Sequence, residues 1–295
     1  MTFAPLRALR PNDAVAVVAP SGPFDRPSFE KGLAVLSTRY RPVFTPRIFE
    51  THRYLAGKDE ARALELQQAL DDEHLAAVFM ARGGYGAMRL LPAIRLGRPK
   101  PLVGFSDTTA LHLAAQAKGW RSLHAPVLTQ LGKQPTDVAA RVFDLLEGRP
   151  VPPLAGSRTV VPGVAEGPLL GGNLSVLTRL LATPYLPSLR GAILLVEDVG
   201  ERPYRLDRMW THLELAGALD GVAGVVFGDF TGCEEKDAPY TPGEVMDELA
   251  QRLGVPCAAG FPIGHGDLNF PVPLGARVRL DADRQTLSFP EGLAA

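Results

Sequence analysis

Ser106 is the residue of this chain best placed to act as a nucleophile. Residues 101–107 read Pro-Leu-Val-Gly-Phe-Ser-Asp, and a helical pattern starts at once with Thr108, Thr109, Ala110, Leu111, Leu113, Ala114 and Ala115. A short strand, a sharp turn and a helix expose the serine hydroxyl beside the N–H groups of a helix start, the geometry of a nucleophile elbow. Gly104 supplies the small residue two positions before Ser106, whereas Thr108 stands where a second glycine is usual. The competing reading is an ordinary cap, because Ser-Asp before a helix is also a common capping arrangement.

Serine is a weak nucleophile at neutral pH and needs a base, which in turn needs an orienting group. The chain has six histidines. His74 and His212 fall in helical patterns among charged or mixed residues and read as solvated, and His52 lies in a polar loop. His112 sits six positions after Ser106 in the following helix, which turns it away from the apex. His124, in Ser-Leu-His-Ala-Pro, follows a strand-like segment and can border a cleft. His265 lies in residues 261–267, Phe-Pro-Ile-Gly-His-Gly-Asp. Its flanking glycines let backbone and substrate approach closely, and such loops carry catalytic residues disproportionately. His265 is therefore the preferred base, with a plain turn histidine as the alternative.

An orienting carboxylate belongs at the end of an element. Residues 194–198, Leu-Leu-Val-Glu-Asp, place two acids at the carboxyl end of an apolar strand, where sites in α/β sheets gather. Acids there also cap following helices, and spacing leaves Glu197, Asp198 and Glu201 open. Residues 82–86, Arg-Gly-Gly-Tyr-Gly, lie between a strand and a helix, so Gly83 and Gly84 are candidates to present an N–H to an oxyanion. A phosphate cradle is disfavoured, since the spacing is not Gly-x-Gly-x-x-Gly and no Lys-Ser/Thr pair follows. A tight turn is the plain alternative.

The elements that must hold these residues follow from periodicity. Residues 15–19 form an apolar run closed by Pro-Ser-Gly-Pro and read as a buried parallel strand. Helices are predicted over 28–39 and 59–70, a strand over 76–80, a helix over 88–94, a strand at 102–103, and a helix to about 118. Alternation of this kind predicts an open α/β sheet with helices on both faces. A stretch rich in Pro and Gly begins near Glu147 and reads as a linker. We expect a first domain over 1–147, a linker over 148–165 and a second domain over 166–295. The second has a helix to about 182, strands at 192–196 and 222–227, a helix over 206–217, and a hairpin from 276–281 and 286–289.

Bulk properties bound the function. A chain of 295 residues supports two domains. Its 46% hydrophobic and 21% charged residues are those of an ordinary globular protein. A net charge of −1 points to neither nucleic acid nor an anionic membrane. No stretch suggests a membrane span, and the N-terminus lacks the apolar core of a signal peptide, so a cytoplasmic protein is expected. Cys233 and Cys257 have no metal-ligand spacing and read as buried small hydrophobes rather than a disulfide framework.

Taken together, these segments resemble the LD-carboxypeptidase family of serine peptidases, which includes the muramoyltetrapeptide carboxypeptidases. The resemblance rests on residues 17–23 (Val-Val-Ala-Pro-Ser-Gly-Pro), 81–86 (Ala-Arg-Gly-Gly-Tyr-Gly), 103–111 (Val-Gly-Phe-Ser-Asp-Thr-Thr-Ala-Leu) and 124–126 (His-Ala-Pro). It continues through 170–174 (Leu-Gly-Gly-Asn-Leu), the long run 195–209 around Glu197, and 261–266 (Phe-Pro-Ile-Gly-His-Gly), in the family's order. One departure is His-Ala-Pro where His-Gly-Pro is expected.

The resemblance implies a Ser-Glu-His triad of Ser106, Glu197 and His265; on such a mechanism the N–H of Asp107, with one from Gly83 or Gly84, is expected to stabilise the oxyanion. It implies an α/β fold, a Rossmann-like N-terminal domain with a parallel sheet plus a smaller β-rich C-terminal domain, the site lying between them. It further implies a homodimer that needs no metal or cofactor and releases terminal D-alanine from murein peptides. Two alternatives stand: a microcin-immunity type of peptidase that cleaves aminoacyl-nucleotide conjugates, and a catalytically silent small-molecule binding protein.

Overall fold

The computed structural model describes residues 2–294. The first half alternates strands and helices: β1 (Ala14–Val18), α1 (Arg26–Ser37), β2 (Arg41–Val43), α2 (Asp59–Asp71), β3 (Val78–Met80), α3 (Ala87–Leu90), β4 (Leu102–Gly104), α4 (Thr109–Ala117), β5 (Ser122–His124), α5 (Leu128–Leu131) and α6 (Thr136–Leu146). The second half supplies β6 (Leu154–Ala155), β7 (Arg158–Val161), β8 (Val164–Asn173), α7 (Leu174–Thr178), β9 (Ile193–Val199), α8 (Pro203–Leu215), β10 (Gly224–Thr231), α9 (Pro242–Leu253), β11 (Cys257–Ala259), β12 (Val272–Leu274), β13 (Arg277–Asp281) and β14 (Thr286–Ser288).

Local chemistry explains the better-marked elements. Every residue of β1, β3 and β4 is buried, as strands covered on both faces must be. The Asp25 side chain caps α1 by accepting from Ser28 N at 2.8 Å, and Pro27 sits in its first turn. Thr241 and Glu244 form a reciprocal capping box at the start of α9.

The first sheet has the order β12-β5-β4-β3-β1-β2. Strands β1 to β5 are parallel, and β12 runs antiparallel along β5. Strand order reverses between β1 and β3, and a crevice opens beyond the carboxyl ends of strands at such a point. Residues 19–23, 81–86 and 105–107 leave the sheet on that side.

The second sheet has the order β6-β14-β13-β8-β9-β10-β11-β7. It curls about β8, whose first part pairs with β13 and whose last part pairs with β9. Strands β8 to β11 are parallel, with α8 and α9 as crossovers. The fold is thus mixed α/β, with a mostly parallel first sheet and a second region richer in strands.

The two sheets share packing. Helix α4 lies against α7 and β8, and residues 109–116 are all buried, as expected of a helix that is apolar around its circumference. Leu111 and Leu113 join Leu174, Leu177 and Trp210 in one core. Truncating one of these leucines to alanine would cost about 2–5 kcal/mol.

The expected boundaries differ from what is observed. Residues 148–165, expected as a linker, contain β6 and β7 and the start of β8, all members of the second sheet. Strands β6 and β7 have two and four residues and are bordered by Pro152, Pro153 and Pro162, so no period marks them; only their distant partners define them. Within 166–295, β12 belongs to the first sheet instead. The termini also meet, with Leu6 bridged to Ala294. Cys233 and Cys257 are free and buried. Among the described residues no helix is long and apolar enough to cross a membrane.

Candidate active site

Ser106 follows β4 through Phe105, which is extended and buried. The serine has φ = 63°, in the left-handed region, a conformation that costs a residue with a Cβ roughly 1–3 kcal/mol and recurs at active sites. The surrounding bonds hold it there. Asp107, only 2% exposed, accepts at Oδ2 from Ser21 Oγ (2.6 Å) and Ala87 N (2.8 Å). One carboxylate thereby ties the turn after β4 to the turn after β1 and to the start of α3. Burial pushes the Asp107 pKa up, and the Ser21 and Ala87 hydrogen bonds oppose it. His112 reaches back from α4, with Nε2 2.8 Å from Gly104 O. Its burial holds its pKa down at about 4, so it is a neutral structural group.

Gly83 lies directly against the serine. A Cβ built on it would meet Ser106 Cβ and Oγ, so a side chain here must push the serine or its own loop aside. Its carbonyl accepts from Gly22 N at 3.0 Å, fixing the turn after β3 on the turn after β1. Among the described residues, the N–H groups of Gly83, Gly84 and Asp107 have no protein acceptor. Such free donors beside a serine hydroxyl could receive a developing oxyanion.

The second half brings the acid–histidine pair. Glu197 near the end of β9 is fully buried, and its Oε2 lies 2.6 Å from Nδ1 of His265. The His265 side chain is 13% exposed. Burial pulls its pKa down, but the Glu197 hydrogen bond and charge lift it above the usual histidine value. Burial raises the Glu197 pKa, with His265 opposing. Phe105 bridges the halves, its ring centroid 4.6 Å from that of His265.

Ser106, His265, Gly83 and Gly84 line one cavity of about 700 Å³, a size that suits a small ligand. Arg82 and Lys133 bring positive charge to its wall and Asp25 brings negative charge. Among the described residues no hydrogen bond joins Ser106 Oγ to His265; such bonds are often long in unliganded enzymes.

The other candidates are used elsewhere. Asp198 accepts from Ser175 N (2.8 Å), Ser175 Oγ (2.7 Å) and Asn173 Nδ2 (3.1 Å), holding the start of α7. Glu201 pairs with Arg205 at 3.3 Å. His52, His74 and His212 are exposed, and His124 is buried. Sequence reasoning missed Asp229, at the bulge of β10, whose carboxylate lies against Gly266. Burial raises its pKa to about 6, and the Gly266 N–H opposes that. It also missed Ser21, although residue 21 lies inside a segment that carried the family resemblance.

The turn of Ser106 from one sheet and the acid–histidine pair from the other border one cavity, and the chain belongs to a peptidase family. It is a member of the LD-carboxypeptidases: residues 15–125 match the family's N-terminal domain and residues 166–280 its C-terminal domain. The murein tetrapeptide carboxypeptidase of Pseudomonas aeruginosa is 35% identical over 292 residues, covering 92% of this chain and 94% of that one. A crystal structure of muramoyltetrapeptide carboxypeptidase from Oxalobacter formigenes superposes with a TM-score of 0.82 at 27% identity, covering 93% of this chain and 97% of that one. The microcin C7 self-immunity protein MccF, solved with glutamyl sulfamoyl guanosine, superposes with a TM-score of 0.90 at 22% identity over 99% of each chain. That last likeness speaks for the fold.

Proposed function

We propose that this protein is a serine carboxypeptidase that hydrolyses the L-to-D peptide bond before the terminal D-alanine of murein tetrapeptides. The observation that carries the reading is the 2.6 Å contact between buried Glu197 and His265 at the wall of the cavity that holds Ser106. The P. aeruginosa relative supports the substrate class.

Ser106 Oγ attacks the carbonyl carbon, and its proton passes to His265 Nε2. The N–H of Asp107, with that of Gly83 or Gly84, receives the negative oxygen. The intermediate collapses, His265 gives its proton to the leaving amine, and D-alanine departs from an acyl-enzyme. Water then attacks the ester, His265 takes its proton and returns it to Ser106 Oγ, and the shortened peptide leaves. Glu197 holds the Nδ1 proton and stabilises the imidazolium. Disabling such an orienting carboxylate costs about 10⁴ in kcat in a serine protease, and removing one oxyanion donor costs roughly 10²–10³. Arg82 and Lys133 are the cationic partners for the D-alanine carboxylate. The same reading includes a homodimer and a cytoplasmic location, checked by light scattering and by fractionation.

The test is release of D-alanine from a murein tetrapeptide in the presence of EDTA, with Ser106→Ala as control. Metal-independent release that Ser106→Ala abolishes supports the reading. Cleavage of an aminoacyl-nucleotide analogue without D-alanine release replaces it with the immunity type. Binding without turnover of either compound leaves a silent binding protein.

A further inference from the structure

His124 and Asn269 are buried polar residues to which the steps above give no role. His124 ends β5, opposite Gly104 of β4 and Val272 of β12. It is 0% exposed, and neither ring nitrogen has a hydrogen-bond partner. Its ring centroid lies 5.6 Å from that of Phe105, the residue before the nucleophile, and Phe105 in turn packs on His265.

Asn269 is 1% exposed. Its Oδ1 accepts from Gly264 N at 3.1 Å, and its own backbone N donates to Gln134 Oε1 at 3.1 Å. Gln134 Nε2 donates to Asp267 O at 3.3 Å, so a glutamine between α5 and α6 clamps the loop that follows His265. With Oδ1 committed to Gly264, the Asn269 Nδ2 group must donate, and it is buried without an acceptor. His124 is neutral, because burial holds its pKa well below the usual value.

Gly264 is where this network meets the triad. It has φ = 125°, and a Cβ there would stand 2.7 Å from Glu197 Oε2. The backbone of Gly264 therefore rests on the carboxylate, and the next residue is His265. Whatever fixes Gly264 sets the separation of Glu197 and His265.

We infer that Asn269, held by Gln134, is a positioning residue that locks the His265 loop onto the half of the molecule carrying Ser106. This rests on the triad reading above. Its effect passes through Gly264, with no contact to substrate.

The experiment compares Asn269→Ala and Asn269→Asp in the full chain, with Ser106→Ala and His265→Ala as controls. It reads kcat and KM on the tetrapeptide and the downfield proton NMR signal of the Glu197–His265 hydrogen bond. Asn269→Ala is expected to lower kcat about 10²-fold, as small misplacements of catalytic groups do, with KM nearly unchanged and the downfield signal shifted or lost. Asn269→Asp keeps the acceptor for Gly264 and restores most of kcat. Wild-type kcat in Asn269→Ala overturns the inference, as does lost activity with an unshifted downfield signal. A folded Asn269→Asp as damaged as the alanine variant also overturns it. If Asn269→Ala does not fold, Gln134→Ala replaces it under the same two readouts. Near-normal turnover in Ser106→Ala or His265→Ala sinks the triad reading itself; inactive controls beside an indifferent Asn269→Ala sink only the positioning role.

Discussion

Gly83 lies so close to Ser106 that a Cβ built on it would stand 2.9 Å from the serine Cβ and 3.0 Å from Oγ. The side chain of Gly83→Ala must therefore displace the Ser106 side chain or the loop after β3. We expect this variant to stay folded and to lose at least about 10²-fold in kcat/KM, the scale set by losing an oxyanion donor. Steady-state kinetics beside a thermal melt check this, and wild-type turnover would remove Gly83 from the site.

The left-handed backbone at Ser106 couples activity to strain. Ser106→Gly relieves the strain and should stabilise the fold by about 1 kcal/mol, raising Tm by roughly 2 °C for a chain of this size. It also removes the proposed nucleophile, so turnover should fall to background. Ser106→Ala should lose turnover equally and gain no stability. Calorimetry on the two variants separates strain from a plain loss of the hydroxyl; equal melting temperatures would refute it.

The acid limb of kcat/KM should follow His265, because only the neutral ring takes the serine proton. Burial lowers its pKa and Glu197 more than offsets this, so the limb lies above the usual histidine value. Glu197→Gln leaves burial without the opposing carboxylate. Its limb should move to lower pH while kcat falls about 10⁴-fold. For stability the sign is opposite: the contribution of a raised histidine pKa is full below its unfolded value of 6.5 and is lost as pH rises through the folded one. A pH–rate profile of both proteins decides, and an unmoved limb in Glu197→Gln excludes His265 as the titrating base.

Asp229 offers a second, independent titration. Its folded pKa of about 6 lies above the ordinary 3.8 because of burial. Its contribution to stability is therefore full below the unfolded value and lost as pH rises through about 6. Asp229→Asn, which keeps an acceptor for the Gly266 N–H, should be more stable than wild type near neutral pH, with the gain vanishing in acid. Because Asp229 also raises the His265 pKa, the acid limb of the variant should move to lower pH. Chemical denaturation across pH, paired with the rate profile, checks both; a stability gain that is constant with pH would contradict the assignment.

What the sequence disclosed depended on how local its signals were. Strands β1, β3, β4 and β9 are apolar runs because both faces are covered, and the hairpin of β13 and β14 is closed by an adjacent turn. Strands β6, β7, β11 and β12 take their partners from far along the chain, so no short-range pattern announces them. The turn around Ser106 was readable from Gly104 and the following helix. The choice between Glu197 and Asp198 was not, because neighbouring strand residues face opposite sides: one side chain meets His265 and the other holds the start of α7. The family resemblance pointed to Glu197 where spacing was silent. Asn269 and Gln134 carry no local signature, since their partners belong to different halves of the molecule.

Strand β12 has a consequence for how the molecule is made. It follows the His265 loop and supplies the outer neighbour of β5. A chain emerging from the ribosome thus exposes the bare edge of β5 until β12 has been made. The half with Ser106 gains its last strand only after Glu197 and His265 have been translated. On the proposed triad, a truncated product carries a serine turn with no base, and hydrolytic power arrives together with the segment that finishes the first sheet.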